Sequence, residues 1–143
     1  MMAAAGRRMC PRSFRVTVLL AGGTDMGLSS HLRLDTRRIG DAAVVSVEGD
    51  IDLTTFRAAE SALDAARGQC TVLVLDLRAV GFMDTSGLRL VISQRQRAEA
   101  EGYRFVVVPG SDRIRRLFEI AGFPVRHPLF AGAPTELAGG DGA

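Results

Sequence analysis

Cysteine and histidine are scarce in this chain. Its two cysteines, Cys10 and Cys70, are too few for a disulfide framework, and neither stands in a metal-ligand spacing. The two histidines, His31 and His127, have no Cys or carboxylate grouped around them, so neither a metal nor a cofactor is expected. Reduced thiols fit a cytoplasmic protein. Lysine is absent altogether, and all 18 basic residues are arginine. In a chain so rich in Ala and Gly this reads mainly as codon bias, although Arg suits contacts to phosphate and carboxylate. An excess of one charge is missing too. Eighteen basic against 16 acidic residues leave +2, which gives no argument for direct nucleic-acid binding.

No long apolar run is present either. Val16–Ala21 follows Arg7, Arg8, Arg12 and Arg15 and loosely imitates an export signal, but it is short and crowded by arginine. A membrane-spanning helix needs roughly 20 apolar residues, so no membrane association is expected. Met26 would serve as an alternative start, and residues 1–30 are expected to be a disordered extension or a start-site artefact. The 143 residues, 47% hydrophobic and 24% charged, suffice for one domain with a real core and not for two.

From Leu32 the pattern sharpens. Leu32 to Thr36 alternates with period two, Ile39-Gly40-Asp41 supplies a turn, and Ala43 to Val47 is strand-like, which predicts a hairpin. Gly49-Asp50-Ile51-Asp52 ends its second strand. Asp52 or Thr54 can then cap a helix to about Arg67, with Phe56, Ala59, Leu63 and Ala66 on one face, stopped by Gly68. Thr71 to Leu77 reads as a buried strand, and a helix follows from Ser86 or Gly87 to about Glu101. Arg104 to Val108 is a further strand, and Ser111 caps a helix over 112–121. In that helix Ile114, Leu117, Phe118 and Ala121 face inward, while Arg113, Arg115 and Arg116 face water. A short extended piece over 125–130 is placed at a sheet edge, and 131–143 reads as a disordered tail.

The stretch between the buried strand and its helix carries the chemistry: Gly81-Phe82-Met83-Asp84-Thr85-Ser86-Gly87-Leu88. Free N–H groups at a helix start favour anionic groups, so two hydroxyls beside a carboxylate can form a cap, a phosphate-acceptor site or a catalytic turn. An aspartic-protease turn fails because Ser86 intervenes between Asp84-Thr85 and the glycine. A serine nucleophile fails for want of a Gly-x-Ser-x-Gly elbow and of a histidine in a well-structured place. No Gly-Lys phosphate loop is present.

Four pieces resemble one family in order and spacing: Gly49 to Asp52, Val72 to Leu77, Phe82 to Leu88, and Ile114 to Gly122. Together, over roughly Leu32 to Phe130, they are similar to the STAS domain of bacterial anti-sigma factor antagonists. The resemblance implies an α/β (α+β) fold, with a mixed sheet of four to five strands and three to four flanking helices over residues 31–130. It also implies no enzymatic activity and no cofactor. The partners it implies are an anti-sigma factor that is also a serine kinase, and a phosphoserine phosphatase. By this resemblance Ser86 is the phosphoacceptor, and Asp50, Asp52, Asp84, Thr85, Gly87 and Leu88 belong to the partner interface. A STAS module that only scaffolds or senses, with no phosphorylation switch, is the alternative.

Overall fold

The computed structural model describes residues 16–21, 31–68, 71–124 and 126–130. Cys10, Cys70 and the 131–143 tail lie outside them. Five strands lie in the sheet in chain order: β1 (Val16–Ala21), β2 (His31–Ile39), β3 (Ala42–Ile51), β4 (Val72–Met83) and β5 (Arg104–Val108). β1, β2 and β3 pair antiparallel, and β3, β4 and β5 pair parallel. Parallel neighbours need a crossover, which α1 (Phe56–Arg67) and α2 (Thr85–Glu101) supply. α3 (Asp112–Ile120) and a 3-10 turn (Pro128–Phe130) follow β5. The mixed sheet with flanking helices is therefore as the sequence predicts.

Period two decides which side chains meet. Leu32 and Leu34, Val45 and Val47, Leu73 and Leu75, and Phe105 and Val107 line one face of the sheet. There they meet Ala59, Leu63 and Ala66 of α1, Leu90, Val91 and Ala98 of α2, and Ile114 and Phe118 of α3 in one core. Ala42, Val44, Val74 and Val106 alternate with them and form a smaller buried cluster on the other face. Between the first two helices runs a polar seam. The Asp64 carboxylate accepts from Gln94 Nε2 and Arg97 Nη1 at 3.2 Å each, and Gln94 is fully buried.

Three expectations need correction. Val16–Ala21 is a strand, not an unstructured extension: it pairs along β2 from Val16 opposite Thr36 to Ala21 opposite His31. The cause is tertiary, since the outer edge of β2 would otherwise present unpaired backbone groups. The piece over 125–130 contains a 3-10 turn, not an edge strand, among its described residues. Pro128 has no N–H to give a ladder, and His127 Nδ1 accepts from Leu129 N at 3.0 Å while His127 O accepts from Phe130 N at 3.0 Å. Ala121, finally, is exposed instead of inward, because α3 ends at Ile120. Ser111 caps that helix as expected, its Oγ accepting from Ile114 N at 3.4 Å.

Candidate functional site at the ends of β3 and β4

β4 runs six residues beyond Leu77, and two irregularities explain how. Asp76 stands opposite Ser46 and Ala79 opposite Glu48, and then Val80 stands opposite Gly49 and Phe82 opposite Asp50. Each step inserts one extra β4 residue, a β-bulge. The inward row accordingly steps by two through Leu73, Leu75 and Leu77, then by three to Val80 and Met83. At the first bulge Asp76, only 6% exposed, accepts from Arg78 N at 3.0 Å, Arg78 Nε at 3.0 Å, Arg78 Nη2 at 3.1 Å and Ser46 Oγ at 3.3 Å. These bonds hold the chain in its bulged path. Asp76→Ala should lose about 2 kcal/mol in denaturant unfolding, the cost of a charge-assisted network whose Arg remains free to solvate.

The second bulge turns Phe82 outward, 44% exposed, while Met83 enters the core. The strand then gives way to α2. Asp84 N donates to Ile51 O at 3.2 Å, which ties the ends of β3 and β4 together. The Asp84 carboxylate accepts from Ser86 N at 2.7 Å, so Asp84 is the N-cap. Thr85 is exposed and Ser86 half-buried, and neither hydroxyl makes a hydrogen bond among the described residues. Gly87 is buried: a Cβ there would strike the Met83 side chain and come within 3.3 Å of Ile51 Cγ2. Its role is to let α2 approach the strand ends, and Leu88 packs on the core. Both were expected on the interface; Gly87 is buried, and Leu88 is half-buried against the core.

The end of β3 supplies the other half. The Asp52 carboxylate accepts from Thr54 N at 2.9 Å, Thr54 Oγ1 at 2.7 Å and Thr55 N at 3.1 Å, so Asp52 organises the entry to α1. Thr55 occupies the N-cap position without a side-chain cap bond, and its Oγ1 donates to Asp50 O at 2.8 Å. Partial burial pushes the Asp52 carboxyl up, but the hydrogen bonds from Thr54 and Thr55 outweigh it and hold the carboxyl below its ordinary value. A lowered folded-state pKa stabilises the fold above the unfolded value near 4 and loses that contribution as pH falls through the folded one. Asp52→Ala should therefore cost about 1 kcal/mol at neutral pH. The gap to the parent should close on acidification below about pH 4 in thermal unfolding.

Asp50, Asp52, Asp84, Thr85 and Ser86 are thus gathered where β3 and β4 end. Asp50 Oδ1 lies 3.6 Å from where a Cβ on Gly81 would stand, and Asp50 itself is opposite Phe82. Two residues that sequence reasoning missed join them: Leu53, 72% exposed beside Asp52, and Phe82. Leu53 could have been noticed as an apolar residue between Asp52 and Thr54, off the helical face. Phe82 gave no such signal, because its outward direction depends on the bulge. Among the described residues no group of His, Cys, Asp and Glu could hold a metal ion. None of the described helices is long and apolar enough to cross a membrane.

A family model described as the STAS domain matches residues 33–132. The anti-sigma-F factor antagonist RsfB of Mycobacterium tuberculosis is 32% identical over 98 residues, which cover 68% of this chain and 80% of RsfB. The crystal structure of an anti-sigma factor antagonist from Mycobacterium paratuberculosis superposes with a TM-score of 0.58 at 26% identity, covering 87% of this chain and 93% of that one. Unphosphorylated SpoIIAA superposes with a TM-score of 0.60 at 22% identity, covering 73% of this chain and 91% of that one, and shares the fold.

Proposed function

The chain belongs to the STAS domain family, and on that premise we propose that it is a non-catalytic anti-sigma factor antagonist. In this reading it docks through the Ser86 surface onto an anti-sigma factor that is also a serine kinase, and so frees a sigma factor. Phosphorylation of Ser86 ends the docking, and a phosphoserine phosphatase restores it. The observation that carries the reading is the Ser86 hydroxyl, unbonded and half-buried at the junction of β4 and α2. It is flanked by the aspartates at the two strand ends and by exposed Leu53 and Phe82.

Apolar residues that stay exposed beside charged ones are what a docking surface offers a partner. Leu53 and Phe82 would anchor it, and Asp50, Asp52 and Asp84 would set its register against basic groups of the partner. Phosphate adds about −1.5 to −2 charges in one step. The start of α2 tolerates that charge, because its dipole stabilises an anion by roughly 0.3–1 kcal/mol. The unfavourable effect falls on the complex, where a dianion beside three carboxylates must be desolvated or repelled.

The experiment incubates the protein with the candidate anti-sigma kinases of its source and ATP, and reads binding by calorimetry and modification by mass spectrometry. One phosphate at Ser86, with loss of binding, is the expected result. Binding with no phosphate from any cognate kinase would replace the switch by a scaffold.

A further inference from the structure

We propose that Arg89 is the positioning residue that holds the phosphate carried by Ser86, an inference that rests on the reading of Ser86 as the acceptor. Both residues lie on α2, three positions apart, which sets their Cβ atoms about 5–6 Å apart on one side of the helix. Arg89 is exposed and has no hydrogen bond or ion pair among the described residues. It is also the sole ionisable side chain of Thr85 to Ser93. The next arginine along the helix, Arg95, is paired with Glu99 at 3.7 Å.

The other charges around the strand ends point the same way. Asp84, Asp50 and Asp52 are acidic and repel a phosphate. At the start of α1, Arg57 lies over the Phe56 ring, 5.5 Å from its centroid. Arg89 is therefore the cation on α2 within reach of the new charge. Its planar guanidinium donates two parallel N–H bonds to a phosphate, a geometry that lysine cannot reproduce. The phosphate is then drawn along the helix surface, and a guanidinium open to a partner before modification is occupied after it.

The test installs phosphoserine at position 86 during translation, so that it depends on no kinase, and titrates it by phosphorus NMR. The second phosphate ionisation, ordinarily near pH 6, should lie about half a pH unit lower in the parent than in Arg89→Gln, with Arg89→Lys between them. The Arg89 Nε–H resonance should also move when the phosphate is present. Equal ionisation in parent and Arg89→Gln, with that resonance unmoved, overturns the proposal. Whether a kinase modifies Ser86 is decided separately, by mass, so the two readings fail independently.

Discussion

Phosphorylated at Ser86, the protein is expected to bind its anti-sigma factor at least about a hundredfold more weakly than in its unmodified form. Its unfolding free energy should change by less than about 1 kcal/mol. The two numbers belong together, because they locate the effect. α2 begins with Asp84 already accepting from Ser86 N at 2.7 Å, so its first turn is capped whatever Ser86 carries. A phosphate adds charge at the favourable end of the helix dipole and leaves the core contacts of Leu90 and Val91 untouched. On the partner's side the basic groups that meet Asp50, Asp52 and Asp84 are already engaged, so none is left over for the phosphate. A group close to −2 must lose water or face a surface already shaped to meet Asp50, Asp52 and Asp84, and like charges at an interface are unfavourable by several kcal/mol. Ser86→Ala should bind as the parent does and take no phosphate at that position. Ser86→Asp, with one charge on a shorter arm, should weaken binding by less than phosphate does. Calorimetric titration of the four forms, with thermal unfolding alongside, separates release from unfolding. Tight binding by the phosphorylated form, or a collapse of its stability, would contradict the mechanism.

What the sequence could show of this surface divides along a physical line. Asp84 and Ser111 as caps, Gly40 in the hairpin turn and Gly68 after α1 are local chemistry, and each is legible from a few adjacent residues. The course of β4 past Leu77 is not. Two inserted residues, set by pairing with β3, change the inward spacing from two to three, so Val80 and Met83 no longer look like members of the row that Leu73 begins. The same shift decides that Phe82 faces solvent and Met83 does not, so this part of the proposed docking surface is not legible from the sequence. β1 was illegible for a related reason: its partner edge on β2 makes it a strand, and no property of Val16–Ala21 alone distinguishes that from an apolar leader. Gly87 and Leu88 show the converse. Asp84 to Leu88 are adjacent in sequence, but a helix spreads such a run around its axis, so Thr85 is exposed while Gly87 is buried and Leu88 packs partly on the core.

Gly110→Ala is the substitution expected to damage the fold most, by about 3 kcal/mol or more in urea unfolding. Pro109 and Gly110 follow β5 directly, and there the chain crosses close to the first bulge of β4. A Cβ on Gly110 would run into the carbonyl oxygen of Leu77, with Leu77 C and Arg78 Cα each at 3.2 Å. These are backbone atoms, and the hydrogen bonds of Asp76 to Arg78 hold them where they are. No rotamer change can move them aside. Gly87→Ala makes a useful contrast, because its Cβ meets the Met83 side chain, which can swing to another rotamer. That substitution should cost about 1–2 kcal/mol, the repacking of Met83 plus a small adjustment against Ile51 Cγ2 at 3.3 Å. The close approach at Gly110 also couples to the bulge. Once Asp76→Ala has released Arg78, the strand has room to yield, so the double substitution Asp76→Ala with Gly110→Ala should lose less than the sum of the two alone. Full additivity would mean that the bulge is rigid without its carboxylate. A loss below about 1 kcal/mol for Gly110→Ala alone would mean that the turn after β5 can move away from Leu77.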